Sequence, residues 1–152
     1  MNKNEILIRL SESENVKFGK VDFAVQSFPQ KVFSAVWCLE SEVNNGGFSQ
    51  YFVNDGGGES ASFVVEALQT IGALKTADIC KRAVASAFPT GLPDDPAFIC
   101  SAAAEFPEEV VQKLEHLDSE FFAYPNNLTD LLFAFVSGRP EEFGKLDTPD
   151  TA

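Results

Sequence analysis

The sequence has very few of the residues that build metal centres and disulfide frameworks. Its 152 residues include one histidine, His116, and three widely separated cysteines, Cys38, Cys80 and Cys100, in apolar surroundings. With no Cys-x-x-Cys pair and no second histidine, a structural zinc site is not expected. Isolated thiols of this kind favour reduced, buried cysteines in a cytoplasmic protein. We therefore expect neither a metal nor a cofactor.

Long apolar runs are also missing. No stretch approaches the roughly 20 apolar residues that a membrane helix needs. Residues 1–10 carry charges and have no sustained apolar core, unlike a signal peptide. The length and the lack of an internal repeat suit one domain. We expect a short helix and arm over 1–20, a helical domain over 21–145, a frayed tail over 146–152, and no membrane partner.

Basic residues are scarce in the second part of the chain. Residues 1–93 carry 10 acids and 8 bases, whereas residues 94–152 carry 13 acids and 3 bases, so most of the net charge of −12 lies there. An acidic surface repels nucleic acid and anionic lipid, which argues against direct binding of either. A basic partner would explain this charge, and so would the ordinary solubility of an acidic protein.

The arrangements that usually carry catalysis are not found. His116 lies in an acidic helix without a matching serine or cysteine elbow, and adjacent acids such as Glu108 and Glu109 are typical of solvated faces. Residues 55–58, Asp-Gly-Gly-Gly, lack the Gly-Lys-Ser/Thr ending of a phosphate-binding loop, so we expect a plain loop there. No catalytic residue is predicted from these patterns.

The sequence does contain 15 phenylalanines and apolar residues at helical spacing, which indicates aromatic packing between helices. The main predicted helices cover about 29–45, 59–71, 76–88, 96–105, 107–117 and 128–137, with short pieces at 4–10, 48–54, 118–124 and 141–143. The predicted caps are Ser27 or Phe28, Thr76, Asp94–Asp95, and Asn126 or Asn127. These elements predict an all-α fold: a compact single-domain orthogonal array of about seven short helices.

The most distinctive stretch is residues 40–54, Glu-Ser-Glu-Val-Asn-Asn-Gly-Gly-Phe-Ser-Gln-Tyr-Phe-Val-Asn. Its Asn-Gly-Gly segment at 45–47 tolerates positive φ angles, so the preceding helix should end there and the chain should turn sharply. Phe48, Tyr51 and Phe52 recur at i, i+3 and i+4, which predicts the apolar face of a second helix.

Glu40 is unusual because it falls on the apolar stripe of the first of these helices. At ~100° per residue it lies between Val36 and Phe33 rather than opposite them. A carboxylate on a buried face needs partners, because an unpaired buried charge is costly. We expect Glu40 to accept hydrogen bonds from the backbone N–H groups at 47–48 or from Gln50.

Glu40 also allows an enzymatic interpretation. Its carboxylate would then act as an acid or base in a polar pocket, with Asn44, Gln50 or Asn54 nearby. Gln50 and Asn54 are four residues apart and share one helix face. Glu42 projects away from Glu40 and does not form a carboxylate pair with it. A concave, open pocket at Glu40 would favour this alternative.

A family resemblance covers most of the chain, roughly Phe28 to Phe143. The residues that carry it are Glu40, Glu42, Val43, Asn44, Asn45, Gly46, Gly47, Phe48, Gln50, Tyr51, Phe52 and Asn54, followed by Ala67-Leu68-x-x-Ile71-Gly72-Ala73, Ala87-Phe88-Pro89 and Leu117-Asp118-x-x-Phe121-Phe122. On these residues the chain resembles the bacterial DNA-mimic-protein family, most of whose members are known only as a domain of unknown function. The resemblance implies an all-helical fold. From one functionally described branch it also implies a dimer whose acidic surface imitates duplex DNA and occupies a DNA-binding regulator.

A DNA mimic needs carboxylates at regular intervals on a rigid scaffold. Helical acids three or four residues apart lie about 5–6 Å from one another, and a basic partner bound to them would lose affinity steeply with salt. The candidate partner-binding residues, chosen by charge density and expected exposure, are Glu105, Glu108, Glu109, Glu115, Asp118 and Glu120, joined by Asp94 and Asp95.

The sequence therefore predicts a non-enzymatic, acidic, cytoplasmic protein that occupies the DNA-binding surface of a regulator or nucleoid protein. Its expected partner is a basic DNA-binding protein, without direct binding to nucleic acid, and a homodimer follows from the resemblance. Two alternatives stay open: the enzyme centred on Glu40, and an antidote or interaction module whose partner does not bind DNA.

Overall fold

The computed structural model describes residues 1–12 and 21–150 and shows an all-helical fold. The α-helices of these residues are α1 (Lys3–Glu12), α2 (Phe28–Val53), α3 (Asp55–Ser60), α4 (Val64–Thr70), α5 (Leu74–Ala87), α6 (Pro96–Ala103), α7 (Glu108–Phe122), α8 (Leu128–Ser137) and α9 (Pro140–Phe143). A 3-10 helix covers Phe23–Val25. The predicted all-α class is confirmed, although the described residues form nine α-helices rather than about seven. Most of the predicted arm lies outside the described residues.

The long helix α2 is the centre of the fold, because α3, α4, α6, α7, α8 and α9 all pack against it. Its start is held by a capping box: Ser27 Oγ accepts the N–H of Gln30, and the Gln30 side chain accepts the N–H of Ser27. Pro29 occupies the first turn, where a missing N–H costs nothing. The predicted start of this helix is thereby confirmed.

Phenylalanine rings join the second half of α2 to the elements around it. The Phe52 ring lies 5.5 Å from that of Phe88 and 6.3 Å from that of Phe106, both edge-on. Phe88 and Phe106 also meet each other at 5.6 Å. Such pairs contribute about 0.5–1.5 kcal/mol each beyond their area burial. Aromatic packing therefore links three separate segments, as the composition predicted.

The expected loop at 55–58 was wrong, because these residues begin helix α3. A Cβ on Gly57 would lie 1.6 Å from the backbone oxygen of Tyr51, and one on Gly58 would lie 2.7 Å from Sγ of Cys100. Because glycine has no Cβ, the backbone of α3 can approach α2 and α6 closely at these two positions. The predicted helix at 59–71 is consequently divided between α3 and α4.

The start of α5 also differs from the prediction. The helix begins at Leu74, so Thr76 lies inside its first turn instead of capping it. Oδ1 of Asn126 accepts the N–H of Thr76 at 2.9 Å and its hydroxyl at 3.2 Å. A free N–H of the first turn is therefore satisfied from a distant segment, which helix periodicity cannot reveal. The predicted end of this helix, before Phe88, is confirmed.

Helix α7 is continuous to Phe122, where the sequence predicted a division near residue 118. A separate helical turn at 118–124 was expected to present both Phe121 and Phe122 inward. Phe121 is buried, whereas Phe122 is exposed, so the expectation for Phe122 was wrong. Two other predicted caps are confirmed: Asp95 accepts the N–H of Ala97, and Asn127 accepts the N–H of Asp130.

The three cysteines are free thiols. Cys80 is buried as predicted, whereas Cys38 and Cys100 are only half-buried. Burial raises the pKa of the Cys38 thiol to about 11 and also raises the pKa of Cys80. Both thiols are thus protonated at neutral pH and unreactive as nucleophiles.

Candidate functional site

The break predicted in the middle of residues 40–54 is present inside α2, at Gly46 and Gly47. Gly47 has φ +75° and ψ −176°, a conformation that is essentially restricted to glycine. A Cβ on Gly47 would also lie 2.3 Å from Oδ2 of Asp118. The helix resumes at once, so the break is a kink in one long element rather than a loop.

Asp118 of α7 caps the helix that resumes after the break. Its Oδ1 accepts the backbone N–H of Phe48 at 2.8 Å, which satisfies an N–H at the start of a helical segment. Asp118 is half-buried; burial raises its pKa, and the hydrogen bond from Phe48 partly opposes this rise. The sequence assigned this contact to Glu40, and that assignment was wrong because α7 packs across α2 at this point.

Glu40 is instead bonded to Tyr124, just beyond the end of α7. The Tyr124 hydroxyl donates to Oε2 of Glu40 at 2.7 Å and accepts from Nδ2 of Asn44 at 2.6 Å. Burial raises the pKa of Tyr124 to about 12, and the neighbouring Glu40 carboxylate adds to this rise. One hydroxyl therefore joins the first half of α2 to the chain that follows α7.

Glu42 joins the two halves of α2 across the break. Its Oε2 accepts from Nε2 of Gln50 at 2.9 Å and from Nδ2 of Asn54 at 2.6 Å. Nδ2 of Asn45 donates to Oε1 of Gln50 at 3.1 Å, which fixes the Gln50 amide in this orientation. The expected shared face of Gln50 and Asn54 is confirmed, and Glu42 is the residue that it faces.

The apolar members of the same stretch are buried, as their spacing predicted: Phe48, Tyr51 and Phe52 are each 1% exposed. The Phe48 ring meets Phe121 of α7 edge-on at 6.0 Å. The Tyr51 hydroxyl lies 2.7 Å from that of Ser60, and burial raises the pKa of Tyr51. We call the polar and apolar contacts of residues 40–54, with Asp118 and Tyr124, the α2–α7 joint.

The predicted acidic residues divide into two groups. Six of them have exposed side chains: Asp94, Asp95, Glu105, Glu108, Glu109 and Glu115. Asp118 and Glu120 are only half-exposed and are bonded within the chain, Asp118 to Phe48 and Glu120 to Arg82. We call the six exposed residues the acidic face; they lie on α7 and on the segments that flank α6.

Arg82 of α5 forms a two-nitrogen ion pair with Glu120 of α7. Two of its guanidinium nitrogens donate to Glu120 at 2.7 and 2.8 Å, and the third donates to Asp78 at 2.9 Å. This pairing lowers the pKa of Glu120. Above it lies an open cleft of about 680 Å³, lined among others by Arg82, Lys113 and His116. The carboxylate of Glu120 is thus engaged by Arg82 within the chain.

Sequence reasoning missed Tyr124 and misassigned Asp118. Tyr124 adopts a left-handed φ of +48°, uncommon for a residue other than glycine, asparagine or aspartate, so local pattern gave no reason to select it. Asp118 lies in the Leu-Asp-x-x-Phe-Phe segment that carried the family resemblance. The sequence alone could not show that Asp118 faces α2 and not solvent, because this depends on which helix packs beside α7.

Among residues 1–12 and 21–150, no three His, Cys, Asp or Glu side chains come together in a group that could hold a metal ion. None of the helices described is both long enough and apolar enough to cross a membrane. The features that these residues do provide are the hydrogen-bonded α2–α7 joint and the exposed acids of the acidic face.

These features define the class of the protein: an all-helical, acidic fold built around a kinked central helix. A family model described as DMP19-like protein matches residues 26–139, and the chain therefore belongs to the DMP19-like protein family. This is a DNA-mimic-like family and is not a known enzyme family. The family expected from the sequence is thereby confirmed. Comparisons with curated proteins and with solved structures give no match.

Proposed function

We propose that this protein is a non-enzymatic DNA mimic that occupies the DNA-binding surface of a basic regulator or nucleoid protein in the cytoplasm. Membership of the DMP19-like family supports the class of activity. The observation that carries the proposal for this chain is the segment between Arg82 and Lys113, which contains five carboxylates and no lysine, arginine or histidine. All five side chains are exposed.

Helix α7 places two residues of the acidic face at a regular interval. Glu108 and Glu115 are seven residues apart, about two helical turns or ~10.5 Å along α7, and so lie on one outward side. Glu109 lies on the flank, where Lys113 is 3.5 Å away. The N-terminal end of α7 therefore combines strong negative charge with a rigid element, which is what a surface replacing DNA phosphates requires.

The acidic face is smaller than the sequence suggested. Asp118 is committed to Phe48 and Glu120 to Arg82, so neither carboxylate is free to replace a phosphate without breaking an internal bond. The proposal therefore rests on the six exposed residues. A partner that binds them would associate quickly at low salt and would be released as salt is raised.

Capture from lysate of the native host at low salt tests the proposal. The immobilised protein is washed either with excess duplex DNA or with a salt gradient. We expect a DNA-binding protein that duplex DNA displaces. A captured protein that resists DNA would contradict mimicry and support the antidote or interaction-module alternative.

A matched pair of triple variants tests the surface. Glu105→Gln, Glu108→Gln and Glu115→Gln together remove three charges from the acidic face, while Asp22→Asn, Glu66→Gln and Glu141→Gln remove three exposed charges elsewhere. The first set should weaken capture and flatten its salt dependence, and the second should leave both nearly unchanged. Equal effects would show that only net charge matters.

The homodimer implied by the resemblance is part of the proposal. A dimer would present two acidic faces, so a two-fold regulator could engage both at once. Sedimentation equilibrium over a range of protein concentrations measures the oligomeric state directly. A monomer at all concentrations would remove the dimer from the proposal and leave the acidic face unaffected.

A further inference from the structure

One aromatic side chain lies unusually exposed within the acidic face. Phe98 of α6 is 64% exposed, more than Phe28 or Phe122, each at 50%. Those two rings pack edge-on against Phe63 and Phe121 at 5.7 and 6.4 Å. Within the described part of the chain, Phe98 has no such ring neighbour. A large apolar ring turned toward water on a charged surface is the kind of feature that marks a contact with a partner.

Carboxylates flank this ring at both ends of the helix. Asp94 and Asp95 precede Phe98 by four and three residues, and the backbone N–H of Phe98 donates to the carbonyl of Asp95 at 3.0 Å, as in a helical turn. Glu105 follows by seven residues and lies two residues beyond the end of α6 at Ala103. Ile99, the next residue, is only 2% exposed and marks the inward side of α6, about 100° around the helix from Phe98.

The residues around the ring leave its faces accessible. Ala97 and Ser101, its exposed neighbours on α6, are both small, and the Ser101 hydroxyl is turned back to donate to the carbonyl of Ala97 at 2.9 Å. Asp95 uses Oδ1 to cap the helix, accepting from Ala97, and keeps its second oxygen. The ring can therefore be covered by a flat group from outside without moving a helix side chain.

An aromatic face bordered by carboxylates selects one chemical group above others. The arginine guanidinium is planar, stacks on aromatic rings and pairs with carboxylates through two parallel N–H groups. A lysine ammonium also gains from the carboxylates, but it is compact, strongly hydrated and does not stack. We propose that Phe98, with Asp94, Asp95 and Glu105, forms a docking site for an arginine side chain of the basic protein partner.

This inference rests on the proposed function, because it assigns part of the acidic face to arginine recognition. It goes further by assigning general affinity for cations and preference for arginine to different residues. The carboxylates supply attraction to any cation, whereas Phe98 supplies a preference for arginine over lysine. The two parts can be separated because Phe98 carries no charge.

Binding of synthetic oligo-arginine and oligo-lysine peptides of equal length, measured by fluorescence anisotropy with the full chain at low salt, tests the site. We expect the oligo-arginine peptide to bind more tightly by about two- to fivefold. Phe98→Leu should reduce this ratio to near one while leaving oligo-lysine affinity almost unchanged. The control Phe28→Leu changes another exposed ring, at the start of α2, a helix that carries no residue of the acidic face, and should keep the ratio. Asp94→Asn with Glu105→Gln should weaken both peptides together.

An arginine preference that survives Phe98→Leu, or no preference in the unaltered protein, would overturn the arginine site. Failure of either peptide to bind would do the same. These results are distinguishable from failure of mimicry, because the peptide assay contains neither DNA nor a DNA-binding protein. Capture that duplex DNA displaces, together with equal peptide affinities, would retain the proposed function and reject only the docking site.

Discussion

The backbone N–H of Phe48 donates a 2.8 Å hydrogen bond to Asp118, which lies 70 residues further along the chain. This bond joins the kink of α2 to the helix that carries Glu108, Glu109 and Glu115 of the acidic face. The α2–α7 joint therefore holds the proposed binding surface in place, although its own residues are largely turned toward one another. Changes at the joint should affect stability first and partner binding only through the position of α7.

Gly47→Ala is expected to destabilise the protein by ~3 kcal/mol or more, because it combines a glycine-only backbone conformation with a clash against Asp118. Gly144→Ala is the matched control. Gly144 has φ +76° and ψ 174°, almost the same backbone, but nothing lies within 4 Å of a Cβ there. Urea denaturation of both variants separates backbone strain from the clash. Equal losses would mean that Asp118 moves aside freely.

Asp118→Ala should cost about 1–3 kcal/mol, because the Phe48 N–H loses its acceptor. Asp118→Asn keeps an acceptor of the same shape and should cost less. The raised pKa of Asp118 means that the folded state holds this proton more tightly than the unfolded state. Its contribution to stability is thus fully present below the unfolded pKa of about 3.9 and is lost as pH rises through the folded pKa.

The pH dependence can be isolated by comparing the unaltered protein with Asp118→Asn. The difference in their free energies of unfolding should favour the unaltered protein more at pH near 3.5 than at pH 7, following the direction of the shift. Chemical denaturation at a series of pH values gives this difference. A constant difference would show that the Asp118 carboxyl titrates alike in the folded and unfolded states.

Tyr124→Phe should cost about 1–2 kcal/mol, since it removes the hydroxyl that serves both Glu40 and Asn44. A double-mutant cycle with Glu40→Ala measures how much of this loss belongs to the pair. We expect a coupling free energy above about 0.5 kcal/mol. Strictly additive losses would indicate that the hydroxyl is satisfied by water once Glu40 is gone.

Gly57→Ala is expected to prevent stable folding, because its Cβ would lie 1.6 Å from the backbone oxygen of Tyr51. Gly56→Ala, one residue earlier in the same helix, places its Cβ 3.0 Å from Sγ of Cys38, a side chain that can give slightly. We expect the second variant to fold, with a change in stability within about 1 kcal/mol. Circular dichroism and thermal unfolding distinguish the two, and equal tolerance would contradict the close packing of α3 on α2.

Glycine shows where sequence patterns were sufficient and where they were not. At Gly46 and Gly47 the interpretation as a break was correct, because the preceding apolar stripe had to end somewhere and glycine permits the turn. At residues 55–58 the same residue type predicted a loop, yet a helix forms there. The composition is similar at both places; only the neighbouring helix shows whether glycine provides an unusual φ angle or room for another backbone.

The acids show the same limit. Exposure of Glu105, Glu108 and Glu115 followed from their position opposite the apolar stripes, which is a property of one helix at a time. Asp118 and Glu120 satisfied the same rule but face Phe48 and Arg82 across helix boundaries. The periodicity of one helix gives no information about residues on a neighbouring helix. It therefore could not show that Asp118 and Glu120 are bonded within the chain, unlike the residues of the acidic face.

Sequence patterns were enough to establish that the chain is helical, that residues 40–54 contain a break between two apolar faces, and that negative charge is concentrated after residue 93. These properties depend on side chains close together in the chain or on simple sums of charge. The packing of the helices was needed to show that Asp118 rather than Glu40 caps the second half of α2, that Tyr124 closes the α2–α7 joint, and that Phe98 remains exposed among carboxylates. The physical reason is that hydrogen bonds and burial between distant residues depend on how helices cross, and the crossing is set by all packed faces together.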